Sequence, residues 1–85
     1  MITTNPDVVL TRNDDGAVLL NKRSGRYYRL NPLGNEVFRL LAEGSGLEDI
    51  VADLRARFPD AGERIPDDVR RLVADLRRAD LVLDR

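Results

Sequence analysis

The chain has 85 residues, 42% of them hydrophobic and 34% charged, and its 14 basic and 15 acidic side chains leave a formal charge of −1. That balance supports one globular domain with a modest core, too small for a deep catalytic cavity plus a cofactor fold, and offers no basic footprint for a polyanion. With no Cys and no His, the chain lacks disulfides, thiolate chemistry, the common zinc sites and catalytic triads.

Met1-Ile2-Thr3-Thr4-Asn5-Pro6 lacks the basic-then-apolar order of a secretory signal, and no apolar run approaches the ~20 residues of a membrane span. A cytoplasmic setting is expected, with no membrane, metal or cofactor. Val8-Val9-Leu10 predicts a strand, closed by the turn signal Asn13-Asp14-Asp15-Gly16. Ala17 to Asn21 is a second strand, Arg23-Ser24-Gly25 a second turn, and Arg26 to Leu30 a third strand. Connections this short make an antiparallel meander in chain order. The first two strands are apolar on both faces, so either something covers the face away from the helices or this small domain simply exposes a few aliphatics. In the third, alternation puts Arg26, Tyr28 and Leu30 on one side, with Tyr28 and Leu30 towards the helices, and Tyr27 and Arg29 on the other.

Asn31-Pro32 is a cap followed by proline in the first helical turn. Leu33, Val37, Phe38, Leu40 and Leu41 carry the helix to a stop at Gly44. Ser45-Gly46-Leu47-Glu48 has the form of a capping box. Leu47, Ile50, Val51, Leu54 and Phe58 then lie along one face of a second helix, which Pro59 ends. Asp60 to Arg64 reads as a polar loop. Pro66-Asp67-Asp68 opens a third helix with its acidic residues at the positive end of the dipole, and Val69, Leu72, Val73 and Leu76 form its apolar face. Leu81-Val82-Leu83 packs back as an extended tail. The expected fold is α+β, a three-stranded antiparallel meander followed by three helices (βββααα), resembling a winged helix-turn-helix with its strands first.

The paired carboxylates Asp14/Asp15, Glu48/Asp49 and Asp67/Asp68 all sit in turns or at helix starts, where local structure accounts for them. No catalytic residue is expected, and an enzyme is the least favoured class. Gly44-Ser45-Gly46 lacks the preceding strand and the lysine of a phosphate-binding loop. Arg70, Arg71, Arg77 and Arg78 occupy the helix that would enter a DNA groove. Asp67, Asp68, Asp75 and Asp80 share that region at spacings that permit ion pairs. Tyr27 and Tyr28 suit either an ordinary strand or an edge built to receive another chain.

Gly25-x-Tyr27-Tyr28-x-Leu30-Asn31-x-x-Gly34, followed by Val37-Phe38-Arg39-Leu40-Leu41 and Glu43-Gly44, resembles the PqqD-like family. Asp49-Ile50-Val51 with Leu54, and Asp68-Val69 with Leu72-Val73, Leu76 and Leu81-Val82, extend the resemblance over essentially the whole chain, residues 1–85 as a single domain. These are the RiPP recognition elements, which bind leader peptides of ribosomally made, post-translationally modified peptides. A discrete chain of this size is most similar to the stand-alone leader-binding proteins of lasso-peptide biosynthesis, with a role in pyrroloquinoline quinone biosynthesis also open.

The resemblance implies that a leader adds as an antiparallel strand to the third strand, in the groove beside the third helix. Its strand wall is then Arg26, Tyr27, Tyr28, Arg29 and Leu30. The helix wall is drawn from Asp68, Val69, Leu72, Val73 and Leu76, with side-chain pockets between Val69, Val73 and Leu76. The implied partners are the precursor leader and a separate leader peptidase, with the macrolactam cyclase acting afterwards. Val9 or Leu19 are candidate peptidase contacts on the doubly apolar strands. The alternatives are a winged helix-turn-helix DNA-binding regulator and a small structural subunit of a larger enzyme.

Overall fold

In a computed structural model, residues 2–84 are described. The order is β1 (Ile2–Thr4), β2 (Val8–Asn13), β3 (Gly16–Asn21), β4 (Tyr27–Leu30), α1 (Pro32–Ala42), α2 (Leu47–Arg57), α3 (Ile65–Arg78) and β5 (Val82–Asp84). A 3₁₀ turn, Pro59–Ala61, lies between α2 and α3, inside the stretch expected to be a polar loop. β2, β3 and β4 form an antiparallel sheet in chain order. The α+β class and the βββααα layout are therefore as the sequence predicts.

Two features depart from that reading. The C-terminal tail is a strand, and β5 pairs with β1 in a second, two-stranded sheet with Ile2 opposite Asp84 and Thr4 opposite Val82. Three residues whose partner lies some eighty positions away carry no local periodicity to reveal them. Ser45 does not cap α2. The helix begins one residue later, with Gly46 at the cap position and no side-chain bond, and Ser45 instead gives its N–H to the Leu40 carbonyl in the close of α1. Gly44, in the left-handed region at φ +90°, donates to Leu41 in the same closing turn. The start of α1 is as predicted: Asn31 Oδ1 accepts from Gly34 N–H at 2.7 Å, with Pro32 in the first turn.

The helices pack on one face of the three-stranded sheet. Ala17 and Leu19 of β3 and Leu30 of β4 join the buried residues of α1, α2 and α3 in one core, which Leu81 and Val82 complete. Beside it, Glu36 of α1 accepts from Arg39 at 2.7 Å and from Arg57 of α2 at 2.8 Å, and Arg57 also meets Asp53 at 2.7 Å. The bonds from Arg39 and then Arg57 hold the Glu36 carboxyl below the usual carboxylate range. Phe58, expected on the buried face of α2, is 40% exposed and lies under the Arg57 guanidinium, 5.7 Å from its ring centroid.

Among the described residues, one polar residue is buried with the core: Asn21, at the end of β3. Its Oδ1 accepts from the N–H groups of Arg23 and Ser24, and its Nδ2 donates to the Asp80 carbonyl at 2.9 Å. Its backbone N–H donates to Arg26 and its carbonyl accepts from Gly25. The β3–β4 turn is thereby tied to the end of α3, where Asp80 takes a positive φ of 57° and its carbonyl also accepts from Asn5 Nδ2. Truncation would leave the Asp80 carbonyl with the Asn5 donor alone and two turn amides short of their side-chain acceptor. Asn21→Ala should lower stability by about 2–3 kcal/mol, read as a fall in the urea midpoint at unchanged slope.

Candidate peptide-binding groove

β4 is the edge of the three-stranded sheet, and only its β3 side is paired. Asn21 N–H donates to the Arg26 carbonyl at 2.8 Å, which sets the phase of the ladder. Antiparallel alternation then directs the backbone groups of Tyr28 and Leu30 towards β3, and those of Tyr27 and Arg29 towards the free side. A four-residue strand thus offers two donor–acceptor positions to an incoming chain. The side chains follow the predicted faces. Leu30 is buried and Tyr28 half-buried on the helix side, whereas Tyr27 and Arg29 are exposed on the other.

α3 stands beside this edge, and the space between them opens as two chambers. The smaller, about 250 Å³, is bounded by Tyr28, Asn31, Leu33, Gly34 and Val37 on one side and by Asp68, Val69, Arg71, Leu72 and Asp75 on the other. The larger, about 450 Å³, wraps the end of β4 past Arg29, Leu30 and Asn31 to Asn13 and Asp15 of the β2–β3 turn. Tyr28, Asn31, Gly34 and Leu72 line both chambers. The groove is thus open at the Leu30 end.

Side chains bridge its other end. Arg26 Nη1 donates to the Arg78 carbonyl at 3.1 Å, and the Tyr28 hydroxyl donates to Asp75 Oδ2 at 3.2 Å. Arg78 in turn pairs with the second Asp75 oxygen. Burial raises the Tyr28 phenol above its ordinary value, and the hydrogen bond to the Asp75 carboxylate adds to that rise. Strand and helix are therefore tied at Arg26 and Tyr28 and separate towards Asn31 and Asp68.

Of the expected strand wall, Tyr28, Arg29 and Leu30 border the chambers, Arg26 bridges the closed end and Tyr27 faces the other side of the sheet, while Asp68, Val69 and Leu72 line the helix side. Val73 and Leu76 do not. At 2% and 0% exposure they belong to the core, and the expected pocket between Val69, Val73 and Leu76 is closed. Val69 is equally buried yet borders the smaller chamber, and Leu72, turned a step around the helix, lines both chambers. Asn31, Leu33, Gly34, Val37 and Asp75 join the walls without having been expected there. As a helix cap and a motif glycine, Asn31 and Gly34 have backbone roles that conceal their place on the groove wall.

The outer sheet face corrects a second expectation. Leu19 is fully buried and inaccessible to a partner. The residues of opposite parity are presented instead: Val9 lies opposite Leu20, and Leu20 opposite Tyr27. They form a row across three strands with 41%, 40% and 70% exposure. On α3, Arg70, Arg71, Arg77 and Arg78 each face a carboxylate, respectively Asp67, Asp68, Asp84 and Asp75, which favours the solvated mixed-charge reading of that helix.

Residues 16–82 match the model of the family described as coenzyme PQQ synthesis protein D (PqqD). The chain belongs to the PqqD family. Among curated protein sequences nothing matches it significantly. Two solved structures share the fold over nearly their whole length. TbiB1, in complex with the TbiA(beta) leader peptide, is 28% identical with a TM-score of 0.86, covering 98% of this chain and 96% of that one. A lasso peptide synthetase B1, complexed with the leader peptide, is 25% identical with a TM-score of 0.84, covering 98% of each. The chain is a PqqD-like RiPP recognition element.

The Tyr28–Asp75 bridge can be tested by titration in this PqqD-family domain. Asp75→Asn removes the carboxylate while keeping a hydrogen-bond acceptor. The Tyr28 phenol should then ionise at lower pH than in the parent, and the alkaline loss of stability tied to it should be smaller and complete at a lower pH. The sign follows from the raised folded-state value, whose stabilisation is complete below the unfolded pKa and lost as pH rises through the folded one. Ultraviolet difference spectra in a Tyr27→Phe background isolate the phenol concerned.

Proposed function

We propose that this domain is a non-enzymatic adaptor of lasso-peptide biosynthesis that captures the leader of a precursor peptide and presents it to a leader peptidase. The observation that carries the reading is the free edge of β4 beside an open groove, in a chain whose two solved relatives hold leader peptides. The leader adds antiparallel to β4. Its backbone meets the outward groups of Tyr27 and Arg29, and its inward side chains enter the chambers beside Leu72. Backbone pairing supplies sequence-tolerant affinity and the chambers supply selectivity. The strand wall is Arg26 to Leu30; the helix wall is Asp68, Val69, Leu72 and Asp75. Val73 and Leu76 contribute by supporting it from the core.

The row Val9–Leu20–Tyr27 is the proposed contact for the peptidase. It runs across the sheet to the edge at which the leader strand would join, so a bound leader would extend the same face. Holding leader and peptidase on one small domain raises the effective concentration of substrate at the protease, and the macrolactam cyclase would act on the released product. A soluble cytoplasmic setting fits this role, and no helix among the described residues is long and apolar enough to cross a membrane. The strands-first, three-helix layout also resembles a winged helix-turn-helix. The pairing of the α3 arginines with carboxylates weighs against duplex DNA as ligand.

The test is titration of fluorescent lasso-precursor leaders, the TbiA(beta) leader among them, against the parent and two variants. Arg29→Pro removes an outward donor without touching the β3 ladder and should weaken leader binding about tenfold, the equivalent of one lost hydrogen bond near the upper end of its usual worth. Leu20→Asp should leave leader affinity unchanged and abolish stimulation of the peptidase. Full leader affinity in a folded Arg29→Pro variant would contradict strand addition.

A further inference from the structure

Arg29 is the only charged residue within β4, and it is exposed on the face turned away from the helices. Among the described residues no carboxylate pairs with it. The other arginines near the groove are engaged: Arg26 with the Arg78 carbonyl, Arg71 with Asp68 and Arg78 with Asp75. Asp15 shares the wall of the larger chamber with Arg29 and makes no bond to it. A solvated arginine is ordinary on a protein surface. What singles out Arg29 is its place in the ladder.

Val18 of β3 lies opposite Arg29, and Thr11 of β2 lies beyond Val18. The sheet therefore supplies no countercharge in that row. The remaining neighbour is the strand that joins the free edge. In antiparallel addition Arg29 exchanges both backbone hydrogen bonds with one ligand residue, whose side chain stands on the same outer face about 5 Å away. We infer that Arg29 is a specificity-determining residue: it selects a glutamate or aspartate at that one ligand position, on the face of the bound strand turned away from the groove. The inference rests on the reading of β4 as a peptide-binding edge and adds a contact outside the groove itself.

The neighbouring positions have the opposite preference. Ligand residues one step to either side point towards the helices. A carboxylate in the smaller chamber would meet the apolar walls of Leu33, Val37 and Leu72, beside Asp68 and Asp75. The cations nearest to it, Arg71 and Arg78, already face those two carboxylates. Two steps along, the outer-face partner is Tyr27, flanked by Leu20, which offers a carboxylate no cation. Charge is thus read at a single register.

A displayed library of random peptides, each long enough to span β4 and selected on the full chain, reads this preference from the enriched sequences. The parent should enrich an acidic residue at one fixed position, with acids depleted at the positions immediately before and after it. In the best peptide, replacing that glutamate with glutamine should weaken binding about fourfold, near the upper end for a cross-strand ion pair. The difference should shrink with added salt, as for any exposed pair. Arg29→Gln should abolish the difference. Arg29→Glu keeps the backbone ladder and should enrich lysine or arginine at the same position.

A general attraction for acidic peptides would instead enrich carboxylates at every position and persist in Arg29→Gln, which would overturn the inference. So would enrichment of peptides with no charge preference that follows residue 29. Either result leaves the peptide site standing. Failure of the parent to enrich any peptide would overturn the peptide-site reading along with the inference.

Discussion

The distance between an edge strand and a helix is the quantity on which everything else in this domain depends, and Asn21 helps to fix it. β4 and α3 are far apart in sequence, and where they face each other they are joined by side chains. Asn21 binds the β3–β4 turn through Oδ1 and the Asp80 carbonyl, just past the end of α3, through Nδ2. Arg26 and Tyr28 repeat the tie further along. A buried amide suits this position because it donates and accepts at once, with no charge to desolvate. The result is a wedge, fastened at the Arg26 end and open at the Leu30 end. An arrangement fixed before the ligand arrives reduces the ordering that binding must offset.

An unpaired strand is also a hazard, and the residues around β4 limit it. The strand is four residues long and has Arg29 within it and Arg26 just before it. Short length and positive charge both discourage indiscriminate pairing with a second copy. The same charges leave the edge open to a peptide that brings carboxylates. On the outer face, Val9, Leu20 and Tyr27 leave an apolar row uncovered. Groove and row lie on different faces of the same three strands, so one small sheet could serve two partners without competition between them.

Much of this is legible in the sequence. Three helices and a meander follow from the 3.6-residue spacing of Val37, Phe38 and Leu41, from that of Val69, Val73 and Leu76, and from the turn at Asn13 to Gly16. The alternating faces of Tyr27 and Tyr28 follow from strand geometry, and the proposed use of the edge comes from the family resemblance. What stays hidden is non-local. β1 exists only because β5 returns to it. Ser45 has the form of a cap, but α2 begins one residue later, with Gly46 at its cap position, and Ser45 belongs to the closing turn of α1. Periodicity marks Val73 and Leu76 as apolar, but a hydrophobic stripe wider than the core contact does not say which members are sealed and which line a groove. Gly34 and Asn31 have sufficient local explanations, so their second role as groove wall emerges only from packing.

The central claim is that a peptide pairs with the outward backbone groups of β4. Amide hydrogen exchange, followed residue by residue by NMR with and without a bound lasso-precursor leader, tests it most directly. Tyr27 and Arg29 should gain protection on binding, while Tyr28 and Leu30, already bonded to β3, should change little. Binding that leaves the Tyr27 and Arg29 amides as exchangeable as before would contradict the account.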